Sequence, residues 1–351
     1  MKGIWTGTAL LALLTATACS SSEMSDADYE KDVTQGMRSA VAVELEKELD
    51  AIKTLTSAAP TPSGRGWDPV QDAAAIASMR AAWVEARLAY ERVEGAVAPL
   101  FPDIDMSTDG RYDAFLAAMN GAGDQNLFDG EGVTGLHAIE RILYADQVPQ
   151  RVIDLEQSLP GYLPPAFPAT EAEALEFKTK LCKKLIDDLT SLNSQWGGAN
   201  LDLGAAYGGL ISLMNEQREK VTLAATGEEE SRYSQRTLAD LRANLEGTRS
   251  AYAVFAPWVA SKEGGSALNA TIENGFAALA LAYDAPTNDA IPAPPATWSA
   301  EAPSQADLAT PFGKLYSEVT SAVDPKRDGS VVQAMSRTAE LLGYPQFVEG
   351  E

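Results

Sequence analysis

An apolar stripe at helical spacing, Ile76, Met79, Trp83, Ala86, Tyr90, Val93 and Val97, sets the first limit on what this chain can become. Residues three and four apart share one face of an α-helix, so the stripe must be covered by a neighbouring element. Asp68 reads as its cap and Pro69 as its first helical residue. The same spacing returns in nearly every periodic stretch, and no alternating run requires a strand. Helices are expected over residues 24–57, 68–98, 133–146, 170–196, 200–225, 235–262, 267–283, 304–323 and 329–343. Thr170 and Glu173 form a capping box for the fourth of these, and Gly197-Gly198 ends it. Pro, Gly and Ser gather at 59–66, 159–168 and 285–304, which read as connections. The Asp- and Gly-rich stretch 100–132 reads as a long loop, and such loops in compact domains usually carry function.

The N-terminus carries one cation, Lys2, an apolar run from Ala9 to Leu14, and then Thr15-Ala16-Thr17-Ala18-Cys19-Ser20. The run is too short to span a bilayer, so residues 1–18 read as a secretory signal. Small residues ending at Cys19 look like a lipoprotein processing box, with Cys19 as the lipidated new N-terminus; an ordinary signal peptide cut nearby is the alternative. The anchored protein then faces the periplasm or cell envelope, and Ser20 fits outer-membrane sorting. Removing residues 1–18 takes away Lys2 alone, so a formal charge of −23 becomes −24. A surface that acidic argues against nucleic acid and against anionic lipid as partners. Cys182 is then the one thiol left unlipidated, so no intramolecular disulfide forms. Its apolar neighbours mark it as a small core residue.

About 330 mature residues suffice for two domains or one doubled bundle. Arg87-Leu88-Ala89-Tyr90 recurs as Arg249-Ser250-Ala251-Tyr252, and both are followed by Ala-Pro, at Ala98-Pro99 and Ala256-Pro257. Gly135-Leu136-His137-Ala138-Ile139-Glu140 has a counterpart in Gly275-Phe276-Ala277-Ala278-Leu279-Ala280. The expected architecture is therefore all-α, two related four-helix bundles: residues 19–198 with the site, and 199–351 without its histidine.

His137 is the only histidine, and Glu140 follows it by three. That spacing stacks imidazole and carboxylate on one helix face, where both can reach one ion. The same pair also occurs as a solvated pair or capping contact. Glu91 and Glu94 form a second i,i+3 pair, readable as a solvated face or as carboxylates aimed into a bundle core. Asp103, Asp105, Asp109 and Asp113 add acid from the loop. Tyr144, seven residues past His137, is placed to donate behind the site or to pack between helices.

Together, Trp83-Val84-Glu85-Ala86-Arg87-Leu88-Ala89-Tyr90-Glu91-Arg92-Val93-Glu94, Asp103-Ile104-Asp105 with Asp109-Gly110-Arg111-Tyr112-Asp113, the Gly135 to Glu140 motif, and Thr226-Gly227-Glu228-Glu229 with Leu241 to Gly247 resemble the imelysin-like family. The likeness is greatest to its EfeO and EfeM branch of periplasmic iron-uptake proteins, and spans roughly residues 75–260. It implies a double helical bundle and a metal site centred on Gly-x-His-x-x-Glu. His137 and Glu140 would be ligands, Glu91 and Glu94 the acidic pair after the tyrosine, Asp109 the loop aspartate that closes the site, and Glu216 a further acidic position. Two departures stand out. The stretch from Phe115 to Glu131 is lengthened and glycine-rich, and no cupredoxin-like domain precedes the bundle.

One imidazole and several carboxylates suit iron, zinc, copper or manganese, with iron favoured by the resemblance. The implied role is to bind the ion and pass it to an uptake component such as an inner-membrane iron permease. Two alternatives remain. A metallopeptidase meets the objection that one histidine cannot supply His-Glu-x-x-His, and no Gly-x-Ser-x-Gly elbow is present. A polysaccharide-binding protein would need a bridging metal and stacking aromatics, for which Trp67, Trp258 and Trp298 are the candidates.

Overall fold

The computed structural model describes residues 24–119 and 123–346, so Cys19 and the expected signal segment lie outside the described residues. Among the described residues every regular element is helical. The long helices are α1 (Asp26–Ala58), α2 (Ala73–Glu91), α9 (Cys182–Gly198), α10 (Leu203–Leu223), α11 (Thr237–Ser261) and α12 (Gly265–Asp284). Shorter ones are α3 (Glu94–Leu100), α4 (Pro102–Asp109), α5 (Tyr112–Ala118), α6 (Gly135–Leu143), α7 (Gln150–Glu156) and α8 (Glu171–Glu176). The chain closes with α13 (Gln305–Leu308), α14 (Pro311–Val323) and α15 (Val331–Leu342). The Thr170–Glu173 capping box forms as expected, and a π turn, Phe177–Leu181, joins α8 to α9.

The expected 68–98 helix differs at both ends. Asp68 does cap backbone, but of a turn: its Oδ1 accepts from the amides of Val70 and Gln71, each at 2.8 Å. Asp72, held by Arg65 at 2.7 Å, then precedes the true helix. At the far end the helix breaks between Glu91 and Glu94, because α11 crosses there. A Cβ on Gly247 would fall 2.0 Å from the Arg92 carbonyl oxygen, so only glycine allows that approach. The side chain of Asn244, one helical turn earlier, donates to the freed Glu91 carbonyl at 3.0 Å.

The stretch 100–132 is not one long loop, since α4 and α5 lie within it. Pro102 at the first turn with Asp103 and Asp105 beside it is an ordinary helix start, hidden by the acidic composition. Helix α7 was not expected, and the 304–323 helix divides where Thr310 caps a new start at Pro311.

Buried apolar residues gather into two cores. One joins Ile52 and Leu55 to Trp83, Ile139, Leu143 and Leu185. The other joins Val33, Met37, Val41 and Leu45 to Tyr207, Phe255, Phe276 and Met335. Helix α1 serves both cores, and Glu48 stands on its buried stripe between Leu45 and Ile52. Cys182 is fully buried, and desolvation pushes its thiol up to about 12, so it acts as a core residue. Trp67 packs edge-on against Phe177, Trp258 stacks on Tyr29, and Trp298 meets Phe312 and Tyr316. These three indoles anchor loops and core and do not form a stacking platform.

Candidate metal centre

Helix α6 presents His137 and Glu140 from one buried face, and its first residue explains how the site closes. Gly135 has φ +84°, and a Cβ there would lie 2.2 Å from the Thr108 carbonyl oxygen. Glycine therefore lets the end of α4 press against the start of α6, which sets Asp109 beside His137. The Trp83 indole donates to the Leu136 carbonyl at 2.9 Å and ties α2 to the same turn. A hydrogen bond of this kind contributes about 1 kcal/mol, and leaving its partner unmet inside the core costs more.

The two ring nitrogens of His137 have different surroundings. Nδ1 faces Glu140 Oε2 at 3.3 Å, while Nε2 faces both Asp109 Oδ1 and Glu230 Oε1 at 3.3 Å. Glu230, absent from the sequence expectations, comes from the turns that precede α11. That segment is fastened on both sides: Arg151 pairs with Glu229, and Arg232 reaches Asp113 at 2.8 Å. Tyr233 donates to Glu156, and the Ser234 amide donates to Glu140 Oε1 at 2.8 Å. Glu156 in turn pairs at 3.0 Å with Arg141, whose guanidinium lies 3.8 Å above the Tyr112 ring.

Two cations sit among the acids. Arg87, only 1% exposed, contacts Glu91, Asp109, Glu230 at 3.0 Å and Asp240 at 3.9 Å. Lys220 Nζ lies 3.4 Å from Glu94, 3.5 Å from Glu230 and 3.9 Å from Glu91. Asn244 bridges Glu91 and Glu94, and Gln217 donates to Asn244 at 3.1 Å. Glu91 is fully buried, so the bundle does close over it. Glu91 and Glu94 thus face Lys220 and Asn244, one step removed from the group that converges on Nε2. Glu216 and Glu219 line an open pocket of about 340 Å³ that reaches Asp109 and Glu230. Tyr144 packs edge-on against Trp83 beneath Arg80, so its place is between helices.

Burial and Arg87 push the His137 pKa down, but Asp109 and Glu140 outweigh them and hold it well above the usual imidazole value. Burial raises Glu230, yet Lys220, His137 and Arg87 hold it well below the usual carboxylate range. At Glu48 the balance goes the other way: burial and then Asp109 outweigh Arg87 and push it well up. Both of its oxygens lack a hydrogen-bond partner.

Asp109, His137 and Glu230 each offer a donor atom within 4.8 Å of the others. Bonds of roughly 2.1 Å to one ion would separate neighbouring donors by about 3–3.4 Å, so the 3.3 Å spacings at Nε2 fit a metal ligand set. Glu140 on Nδ1 supplies the orienting carboxylate such histidines usually have.

Fold and site thus define an all-helical protein whose single histidine is enclosed by carboxylates. The chain belongs to the imelysin family: the family model described as Imelysin (Peptidase_M75) matches residues 31–314. A Staphylococcus aureus protein named "Efem/EfeO family lipoprotein" is 27% identical over 188 residues, covering 54% of this chain and 52% of the relative. The Yersinia pseudotuberculosis "Iron uptake system component EfeO" is 26% identical over 182 residues, covering 52% of this chain and 38% of the relative. The match therefore spans about half or less of these relatives. The crystal structure of an imelysin-like protein from Psychrobacter arcticum 273-4 superposes with a TM-score of 0.57 at 13% identity, covering 92% of this chain and 98% of that one. At that identity the likeness speaks for the fold. Among the described residues no helix is long and apolar enough to cross a membrane.

Proposed function

We propose that this chain binds a transition-metal ion, iron in the first place, and holds it for uptake across the cell envelope. Asp109, His137 and Glu230 are the central ligands, Glu140 orients the imidazole, and Glu91 and Glu94 supply the surrounding acid. Zinc, copper and manganese suit the same donors. The observation that carries this reading is the convergence of Asp109 and Glu230 on one ring nitrogen of His137. The names of the relatives favour iron and a lipid anchor, and we place that anchor at Cys19. The uptake component that receives the ion would be a membrane permease for iron. We also read the chain as two related helical halves, 19–198 and 199–351, a reading that rests on the recurrence of Arg87-Leu88-Ala89-Tyr90 as Arg249-Ser250-Ala251-Tyr252. Ala277 and Ala280 stand in the second half at the positions of His137 and Glu140.

The test is elemental analysis and titration calorimetry with iron, zinc and copper on the chain lacking residues 1–19. Stoichiometric binding abolished by His137→Ala and weakened by Glu140→Ala is expected. No binding by the parent chain would remove the carrier reading.

A further inference from the structure

We propose that Lys220 is a built-in competitor for the metal ion, an ammonium that must loosen its hold on Glu230 when a cation binds that carboxylate, and that it thereby sets the charge the site selects. The inference rests on the metal reading above. Of the cations around the cluster, Arg87 is locked, since its guanidinium is enclosed by four carboxylates, and Arg111, which lines the same pocket, donates to the Glu228 carbonyl at 3.3 Å. Lys220 is placed differently. Its stem follows the buried stripe of α10 after Leu213 and Gln217, and its ammonium borders the open pocket that reaches Asp109 and Glu230. Lys220 Nζ lies 3.5 Å from Glu230 Oε2 while Glu230 Oε1 faces His137 Nε2 at 3.3 Å, so an ion held between Glu230 and the histidine must share that carboxylate with Lys220.

Lysine suits this role because it is a point charge on a flexible four-carbon stem, without the fixed fork that holds arginine to its partners. Glu216 and Glu219 line the same pocket on α10, so a displaced ammonium has carboxylates to receive it nearer the solvent. The exchange also discriminates by charge. A sodium or potassium ion would replace one unit charge by another and gain no Coulomb energy, while still losing hydration. A divalent ion at the same distance doubles the attraction to each carboxylate, and a trivalent ion triples it. Lys220 thus imposes a threshold that monovalent ions do not pass.

The experiment titrates the full chain, Lys220→Met and Lys220→Gln with Mn²⁺ and with Zn²⁺ alone. Both variants are expected to bind each metal at least tenfold more tightly than the parent. Their Mn²⁺ binding should also become sensitive to potassium chloride relative to tetramethylammonium chloride at equal ionic strength. The glutamine variant keeps a polar group toward Asn244 if the methionine variant misfolds. In the parent chain, isotopic methylation of Lys220, read by mass spectrometry, should increase once Zn²⁺ is bound. Parent-like or weaker affinity in the folded variants, or Lys220 labelling that Zn²⁺ leaves unchanged, would overturn the proposal. Absence of binding in parent and variants alike would instead overturn the metal reading itself.

Discussion

Asp109 Oδ1 lies 3.3 Å from His137 Nε2 although the two residues belong to different helices and stand 28 positions apart. The contact depends on Gly135, whose left-handed φ and missing Cβ let the Thr108 backbone pack against the start of α6. The glycine of the Gly-x-His-x-x-Glu motif therefore acts on the site by setting how closely α4 approaches.

Gly135→Ala should cost about 1–3 kcal/mol of stability, from the strained φ and the collision with Thr108. It should also weaken metal binding by at least tenfold, because Asp109 would be pushed off His137. Thermal unfolding and calorimetry on the same preparation check both effects. Wild-type affinity in a destabilised variant would show that Asp109 is not needed.

Two adjacent glutamates should behave differently. Glu230→Gln removes a carboxylate from Nε2 and should lower metal affinity more than tenfold. Glu229→Gln loosens a pair with Arg151 and should change affinity less than threefold. Titration of the two variants side by side decides the matter.

Arg87→Met should destabilise the protein by about 3–5 kcal/mol, the usual result of leaving buried carboxylates without their cation. Added Zn²⁺ should then raise the unfolding temperature of the variant by more than it raises that of the parent. An equal shift in both would mean that metal does not share the carboxylates held by Arg87.

Glu48→Gln should stabilise the protein at neutral and alkaline pH. Burial raises the folded-state pKa of Glu48 above its ordinary value of 4.5. The folded chain therefore holds a proton that the unfolded chain has lost, and stability falls as pH rises from 4.5 toward the folded pKa. Removing the group should yield a gain that grows by up to about 1.4 kcal/mol per pH unit over that window. Below 4.5 the gain should vanish. Denaturant unfolding at pH 4, 6 and 8 measures it, and a pH-independent difference would refute the assignment.

Cys182 should resist a chromogenic disulfide reagent in the native protein and react only on unfolding, because it is buried and its thiol is pushed up to about 12. Rapid labelling under native conditions would contradict this.

The acidic and basic members of the site left a trace in the sequence as breaks in apolar stripes. Glu48 stands between Leu45 and Ile52, Arg87 follows Ala86, and Lys220 precedes Val221, each on a face that is otherwise buried. Reading those charges as core positions would have pointed to an internal ionic cluster. Glu230 left no such trace. It sits on turns without periodicity, 93 residues from His137, and only the fastening of that segment to α5, α6 and α7 brings it in.

What the sequence determined by itself was local. Apolar spacing, the Thr170 capping box and the His137–Glu140 register depend on neighbours within about two helical turns, which is the range over which side-chain directions follow from residue order. The tertiary structure decided where α2 breaks, since the cause is Gly247 on another helix. It also decided which carboxylates meet at His137 Nε2. Charges attract or repel according to distance in space, and those distances exist only after α4, α6, α10 and the turns before α11 have packed together.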